Sequence, residues 1–573
     1  MERGEQRPLL DELWQRQYQD GASREANDGP RLQRKPFDWR APAIVLGFEY
    51  LESVAYSGIA LNLVIYLGTV LHGDNASNAA TVDAWTGTTF LAPLVGAVIA
   101  DSYWGKHKTI VISLIIYLLG MLIITSSAII PSLRPAACQG GSCPPASMAQ
   151  YLVFMSALYL VAIGTGGVKS ALLPFGADQY EDDNPEEIVK KQSFFSWFFV
   201  AVNLGVLTSG SLIVWIQQNV DWALGFGIAA SCLVLASVFF FVGTPIYRYQ
   251  MPTGSPLKNV IKVLIASFRK MSLEVPTDST LLYEVHNDKD SGYLEPHKLA
   301  HTDEFRCLDK ASVVTDSDQN YSDPQSSWRL CTVTQVEEFK ILVRMLPIWA
   351  TGILYSAACT QMTTTFIQQG NAMNTKIGSF SIPAASLTSI EVIFMMAWVF
   401  IHDKIVNPIA RRHLNNPLGL SQLQRMGVGR FLVILTMAAA ALVELWRLES
   451  AKSGQSISIA WQVPQYVILA GSDVFCGIAQ LEFFYGEAPD TMRSMCSAFS
   501  FLAISLGNYL NSFIITIVTL ITRSGGRPGW IPADLNEGHL DYYFWLWTVI
   551  SLLNFVLYLV FTRNYKLKKA IIP

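Results

Sequence analysis

Glu49 and Glu52 lie three residues apart inside the apolar stretch Ala41 to Leu71, APAIVLGFEYLESVAYSGIALNLVIYLGTVL. At i and i+3 two carboxylates share one helical face, and turning both towards lipid is costly. They are expected to line a polar cavity or meet a cation, and the chemistry they suit is the handling of protons or charged solutes. Lys169, in GTGGVKSALLPFGADQY, lies deep in another apolar stretch, beside glycines that permit close helix packing. A lysine so placed needs an anion or a water-filled cavity unless its stem snorkels to the nearer interface. Two acids far along the chain are candidate partners, Glu391 in SLTSIEVIF and Asp473 in LAGSDVFCGIAQ. An ion pair with Lys169 that forms and breaks would act as a gate. Asn203, in VAVNLGVL, binds either a solute or a neighbouring helix, whereas Glu482, Glu444 and Arg344 stand near the ends of their stretches and read as interfacial charges. No histidine lies deep in an apolar stretch, so a proton relay has to use carboxylates.

The elements that must position these residues are membrane helices. Hydrophobic residues make up 51% of the chain and charged ones only 15%, so the apolar stretches are long enough to span a bilayer many times over. Twelve are expected, centred near residues 56, 92, 120, 162, 205 and 232, and then near 350, 391, 435, 470, 505 and 550. The expected class is an all-α membrane protein of twelve transmembrane helices in two six-helix bundles. Its parts are a disordered cytosolic tail over 1–40, a first bundle over 41–246, a cytosolic central loop over 247–338, a second bundle over 339–563 and a cytosolic tail over 564–573. Lysine and arginine crowd the loops on the side of the termini, which places both termini and the central loop in the cytosol. The loop GAVIADSYWGKHK carries Asp101 and Lys106 at the cytosolic end of the second span, and HDKIVNPIARRH repeats the pattern with Asp403 after the eighth, as duplicated halves would.

Other signals are smaller. A net charge of −4 points to no nucleic-acid partner. No HExxH or GxGD motif is present, so the chain is not read as an enzyme, and no cofactor or metal site is expected. Cys138 and Cys143 are close enough for a local disulfide, although a short polar loop also carries free thiols. Asn75 begins a glycosylation sequon on the non-cytosolic side. Residues 1 to 40 lack the apolar core of a signal peptide. Glu5, Leu9 and Leu10, in EQRPLL, match an acidic dileucine sorting signal that an adaptor could read.

The strings GTGGVKSALLPFGADQY, FFSWFFVAVNLGVL, HTDEFRCLDKASV, WRLCTVTQVEEFKILVRMLPIWATGI and QLEFFYGEAPDTMRS together resemble the plant nitrate and peptide transporter family. That family is a branch of the proton-dependent oligopeptide transporters within the major facilitator superfamily, and the chain looks most similar to its di- and tripeptide subgroup. The resemblance implies the major facilitator fold and proton-coupled symport of small peptides by alternating access between the two bundles. Its partners would be a peptide-like solute, protons and the lipid bilayer; members of the subgroup divide between the plasma membrane and the vacuolar membrane, and the vacuolar membrane is the expectation here. The first-span pattern of two glutamates followed by arginine or lysine falls on Glu49, Glu52 and Ser53, so its basic member is missing. The fourth-span lysine falls on Lys169, the tenth-span glutamate on Asp473, an eighth-span asparagine on Glu391 and the fifth-span asparagine on Asn203. A tyrosine pair after the glutamates is reduced to Tyr56 and Ser57, and the seventh-span histidine linked to nitrate falls on Cys359. By this mapping Glu49 and Glu52 exchange protons, Lys169 with Asp473 forms the gate and binds peptide termini, and Glu391, Asn203 and Tyr56 shape the pocket. Four carboxylates against one lysine imply a site that holds protons at rest or favours a cationic solute. Alternatives are a carrier of another small solute or specialised metabolite, and a solute sensor that does not transport.

Overall fold

The computed structural model describes residues 37–136, 144–181, 185–249, 256–273, 275–276, 282–284, 299, 301–314, 328–378, 380–414, 420–487, 493–524, 528–563 and 565. Glu5, Leu9, Leu10, Cys138 and Cys143 fall outside these residues, and so does the side chain of Asp101.

Among the described residues, twelve helices are long and apolar enough to cross a membrane. In chain order, spans 1 to 6 are Arg40–Thr69, Asn75–Ile99, Lys106–Ile129, Met148–Ala177, Ser193–Asn219 and Trp222–Gly243. Spans 7 to 12 are Val333–Asn371, Ala384–His413, Gln422–Lys452, Ile459–Phe484, Phe499–Thr522 and Leu540–Arg563. The starts of spans 4, 7 and 9 are set by capping boxes, Ser147 with Gln150, Thr332 with Gln335 and Ser421 with Gln424. In each, a hydroxyl and a side-chain amide satisfy two helix-end N–H groups that would otherwise lack partners. The Thr332 box starts span 7 at Val333, ahead of residue 339. The regular structure of the described residues is helical apart from a two-residue hairpin, pairing Lys376 with Ser381 and Ile377 with Phe380, and an isolated bridge between Asn374 and Ser458.

Two helices are interrupted. Span 1 breaks between Ala60 and Leu63, and span 7 passes through a 3-10 turn at Thr360–Thr363 before resuming at Thr365. Spans 5, 8 and 10 each contain a π-turn, at Ser209–Ile213, His402–Val406 and Asp473–Gly477. The glycines around Lys169 serve close packing: a Cβ on Gly164 would lie 2.6 Å from the Tyr117 backbone of span 3. That contact presses span 4 against span 3 and fixes the face from which Lys169 projects.

Hydrogen bonds between the two halves gather on the face away from the termini. Ser512 donates to the Ala80 carbonyl at 2.8 Å, Asn511 Nδ2 to Asp83 at 2.6 Å and Ser505 to the Gly87 carbonyl at 2.7 Å. Asn75 Nδ2, the atom a glycan would join, donates to the carbonyls of Pro532 and Ala533 at 2.9 and 3.0 Å. Glycosylation at this sequon would break that inter-half contact.

The described part of the central segment includes a small packed unit. Helix Pro256–Arg269 packs Val263 and Ala266 against Ala311, Cys331 and Val336. Beside it, buried Lys340 is held by Asp309 at 2.7 Å and Glu337 at 2.8 Å, and His301 meets Asp309 at 3.0 Å. The lysine ammonium occupies the place among these acids that a metal ion would need.

Candidate solute and proton site

In the first half, span 1 presents Glu49, Glu52 and Tyr56 at i, i+3 and i+7, one helical face. Span 4 presents Thr165 and Lys169 one turn apart. Glu52 is fully buried; its Oε1 accepts from the Thr165 hydroxyl at 2.6 Å and its Oε2 has no partner. Glu49 is buried as well, and its Oε1 accepts a long bond from the Ser53 hydroxyl at 3.4 Å. A neutral donor thus stands at the position where a cation would be expected. Ser53 itself is wedged against span 5, because a Cβ on Gly205 would meet its side chain.

Lys169 Nζ lies 3.9 Å from the centre of the Tyr56 ring, and that ring stacks on buried Trp85 at 5.8 Å. Glu52 and Glu49 are the carboxylates that act on Lys169, and solvent reaches it. A cation over an aromatic face, near acids but in no ion pair, is free to take an anionic partner. No ion pair joins Lys169 to Asp473 in this structure.

In the second half, Asp473 opens the π-turn of span 10, and its Oδ1 accepts from the Tyr355 hydroxyl at 3.0 Å. Cys359, one turn beyond Tyr355 on span 7, adjoins Asp473. Glu391, on span 8, is buried with Oε1 unpartnered and has Asp473 as its charged neighbour. None of the described ion pairs includes either acid.

The remaining candidates separate from this constellation. Asn203 gives its amide to the Phe199 carbonyl of its own helix at 2.8 Å. Lys106 pairs with Asp178, the aspartate of GADQY, and ties the end of span 4 to the start of span 3. Glu482 pairs with Arg425 at 2.6 Å and Arg344 with Glu304 at 2.8 Å, both partly exposed. Glu444 departs from the interfacial reading. It is fully buried, chelated by Arg447 through bonds of 2.7 and 2.9 Å, and accepts from Gln369.

Asp83 and Arg430 are buried ionisable residues that the sequence reading does not single out. Asp83 is fully buried in span 2, bonded to Asn511, with Oδ1 unpartnered. Asn511 in turn accepts from Tyr543 and Gln361, both at 2.7 Å, so one carboxylate links spans 2, 7, 11 and 12. Arg430, in MGVGRFLVIL of span 9, is 2% exposed. The available signal was a lone arginine inside an apolar run, obscured by Arg425 one turn earlier at the helix end.

Comparison with known proteins places this geometry. The sequence model of the POT family matches residues 107–531. The chain belongs to the POT family. Among the POT relatives, Protein NRT1/PTR FAMILY 8.3 of Arabidopsis thaliana is 49% identical over 99% of this chain and 99% of its own length. Protein NRT1/PTR FAMILY 8.5 of the same plant is 46% identical over 96% and 95%. The fold is that of solved POT structures. An auto-inhibited POT family peptide transporter superposes with a TM-score of 0.70 at 19% identity, covering 93% of this chain and 99% of that one. A POT family transporter solved in complex with 5-aminolevulinic acid gives 0.63 at 14% identity, covering 93% and 98%. The chain is therefore a multi-pass membrane transporter of the major facilitator type.

Proposed function

We propose that this POT family member is a secondary active symporter that moves protons together with di- or tripeptides by rocking its two bundles about a midplane site. The observation that carries the reading is the division of charge: Glu49, Glu52 and Lys169 stand together in one half, and Glu391 and Asp473 stand without a paired cation in the other. A peptide's terminal carboxylate suits Lys169, which is exposed, rests on the Tyr56 ring and is drawn by Glu52 and Glu49 without an ion pair to either. Its terminal ammonium suits Asp473 and Glu391, where it would supply the missing positive charge. Relatives named for both nitrate and peptide families leave either class of solute open, and Cys359 supplies no histidine for an anion.

Glu49 and Glu52 are the proton carriers in this scheme. Two carboxyl groups on one buried face beside a single lysine repel each other when both are charged, which suits the pair to taking up and releasing a proton as Lys169 changes partner. Solute binding draws Lys169 towards the second half, and its pairing with Asp473 after release closes the cycle. Asn203 and Tyr56 shape the pocket, Asp101 and Lys106 belong to the loop that moves with the first bundle, and the central segment and both termini face the cytosol. The dileucine string at Glu5, Leu9 and Leu10 supports sorting to the vacuolar membrane through an adaptor.

A second reading has one observation in its favour. The acid pair of the second half has no paired cation, which favours a cationic solute such as a basic peptide or amine. One solved neighbour held 5-aminolevulinic acid, a small molecule with an amine at one end and a carboxylate at the other. Proteoliposome uptake of labelled dipeptides of differing charge, with and without an inward proton gradient, tests both readings. Gradient-driven accumulation of neutral dipeptides supports peptide symport, accumulation confined to basic solutes supports the second reading, and binding without uptake or counterflow supports a sensor.

A further inference from the structure

A guanidinium carries a fixed positive charge, and Arg430 places one, buried, in the interior of span 9. Neutral groups alone meet its donors. Nη1 donates to Cys476 Sγ at 3.2 Å and to the Met426 carbonyl at 3.4 Å, and Nη2 donates to the Thr351 hydroxyl at 3.3 Å. Nε has no partner, and the guanidinium lies 4.1 Å from the centre of the Tyr558 ring. No described carboxylate pairs with it, although a buried ion without an opposite charge is costly to keep.

Two side chains connect this cation to the acid pair. Tyr355 has its ring centre 5.6 Å from the guanidinium and gives its hydroxyl proton to Asp473 Oδ1 at 3.0 Å. Cys476 lies in the same π-turn as Asp473 and takes the Nη1 bond on its sulfur. The helices leave the arginine little freedom, because a Cβ on Gly429 would lie 2.6 Å from the Cys476 backbone nitrogen. The titratable groups around it are Asp473 and Cys476 from span 10, Tyr355 and Cys359 from span 7, and Tyr558 from span 12. Arg425 and Glu482, nearer the end of the same helices, are committed to each other.

We infer that Arg430 is a positioning residue for the acid pair of the second half: acting through Tyr355 and Cys476, it holds Asp473 in place and sets the solute charge that Asp473 and Glu391 accept. The inference rests on the peptide-symport reading for its solute and on the geometry alone for its coupling. A fixed positive charge behind Asp473 offsets the negative potential of the pocket, so removing it should favour positive solutes and move the pH dependence of uptake upwards.

The test is uptake of Ala-Lys, Ala-Ala and Ala-Glu across a pH series by full-length protein in liposomes, comparing Arg430→Met, Arg430→Lys, Tyr355→Phe and the Arg430→Met/Tyr355→Phe double variant. Arg430→Met should raise Ala-Lys uptake relative to Ala-Ala about tenfold and move the pH optimum up by about one unit. Arg430→Lys should restore most of both, and adding Tyr355→Phe should change little more, because both act along one path. An unchanged charge ratio and pH optimum in Arg430→Met, or effects of the two substitutions that multiply, would overturn the inference. If Arg430→Met does not assemble, Arg430→Lys and Tyr355→Phe decide: a normal charge ratio with the first and a shifted one with the second is expected, and the reverse contradicts it. Absence of peptide uptake by the unmodified protein defeats the symport reading alone. The coupling is then read from thermal unfolding of the solute-free protein against pH, where Arg430→Met should displace the profile and an unmoved profile overturns it.

Discussion

The two halves of the site solve the same electrostatic problem differently. In the first half the acids and the cation share one cluster: Glu49 and Glu52 on span 1 act directly on Lys169 of span 4, which rests on the Tyr56 ring within reach of water. In the second half the cation is set back. Glu391 and Asp473 face each other's charge, and Arg430 stands behind Tyr355 and Cys476, bonded only to neutral groups. The difference separates two jobs that a symporter must do. An exposed lysine can change partners, which suits a moving gate, whereas a walled-in arginine can only bias its surroundings, which suits a fixed selectivity element.

Breaking the first half should cost the most. Lys169→Gln leaves Glu49 and Glu52 without a cation and removes the group proposed for the peptide carboxylate, so uptake should fall about 100-fold, measured as initial rate in proteoliposomes. Asp473→Asn should be milder, raising KM for peptides with a free amino terminus about tenfold while an amino-blocked peptide is little affected. Ser53→Arg probes what the first half lacks. A cation beside Glu49 favours the ionised carboxylate, so the pH profile of uptake should move about one unit lower, and an unmoved profile would count against Glu49 and Glu52 as the proton carriers. Asn203→Ala should change uptake by less than about twofold, since its amide is spent on the Phe199 carbonyl of its own helix.

Much of this architecture was legible in the sequence, for a physical reason. Apolar runs of spanning length announce helices whatever their neighbours do, and an acid or a lysine in the middle of such a run must be accommodated by protein or water, so Glu49, Glu52, Lys169, Glu391 and Asp473 stood out. What was illegible depends on partners far along the chain. Glu444 reads as interfacial until Gln369 and Asn536 close over it and Arg447. Asp83 and Arg430 lie towards the ends of their apolar runs, and their burial is decided by Asn511 and Tyr558. The π-turn that aims Asp473 at Tyr355, and the breaks in spans 1 and 7, arise from packing between helices and leave no periodic signal in the residues.

The central claim, that protons and solute move together through the acid cluster of span 1, is tested most directly with Glu52→Gln. Liposomes containing this variant are loaded with unlabelled dipeptide for counterflow and compared with liposomes driven by a proton gradient. Glu52→Gln should keep counterflow exchange within about threefold of the unmodified protein and lose gradient-driven accumulation, because neutral glutamine keeps the Thr165 contact and cannot carry the proton. Undiminished accumulation against a concentration gradient in Glu52→Gln would contradict the account.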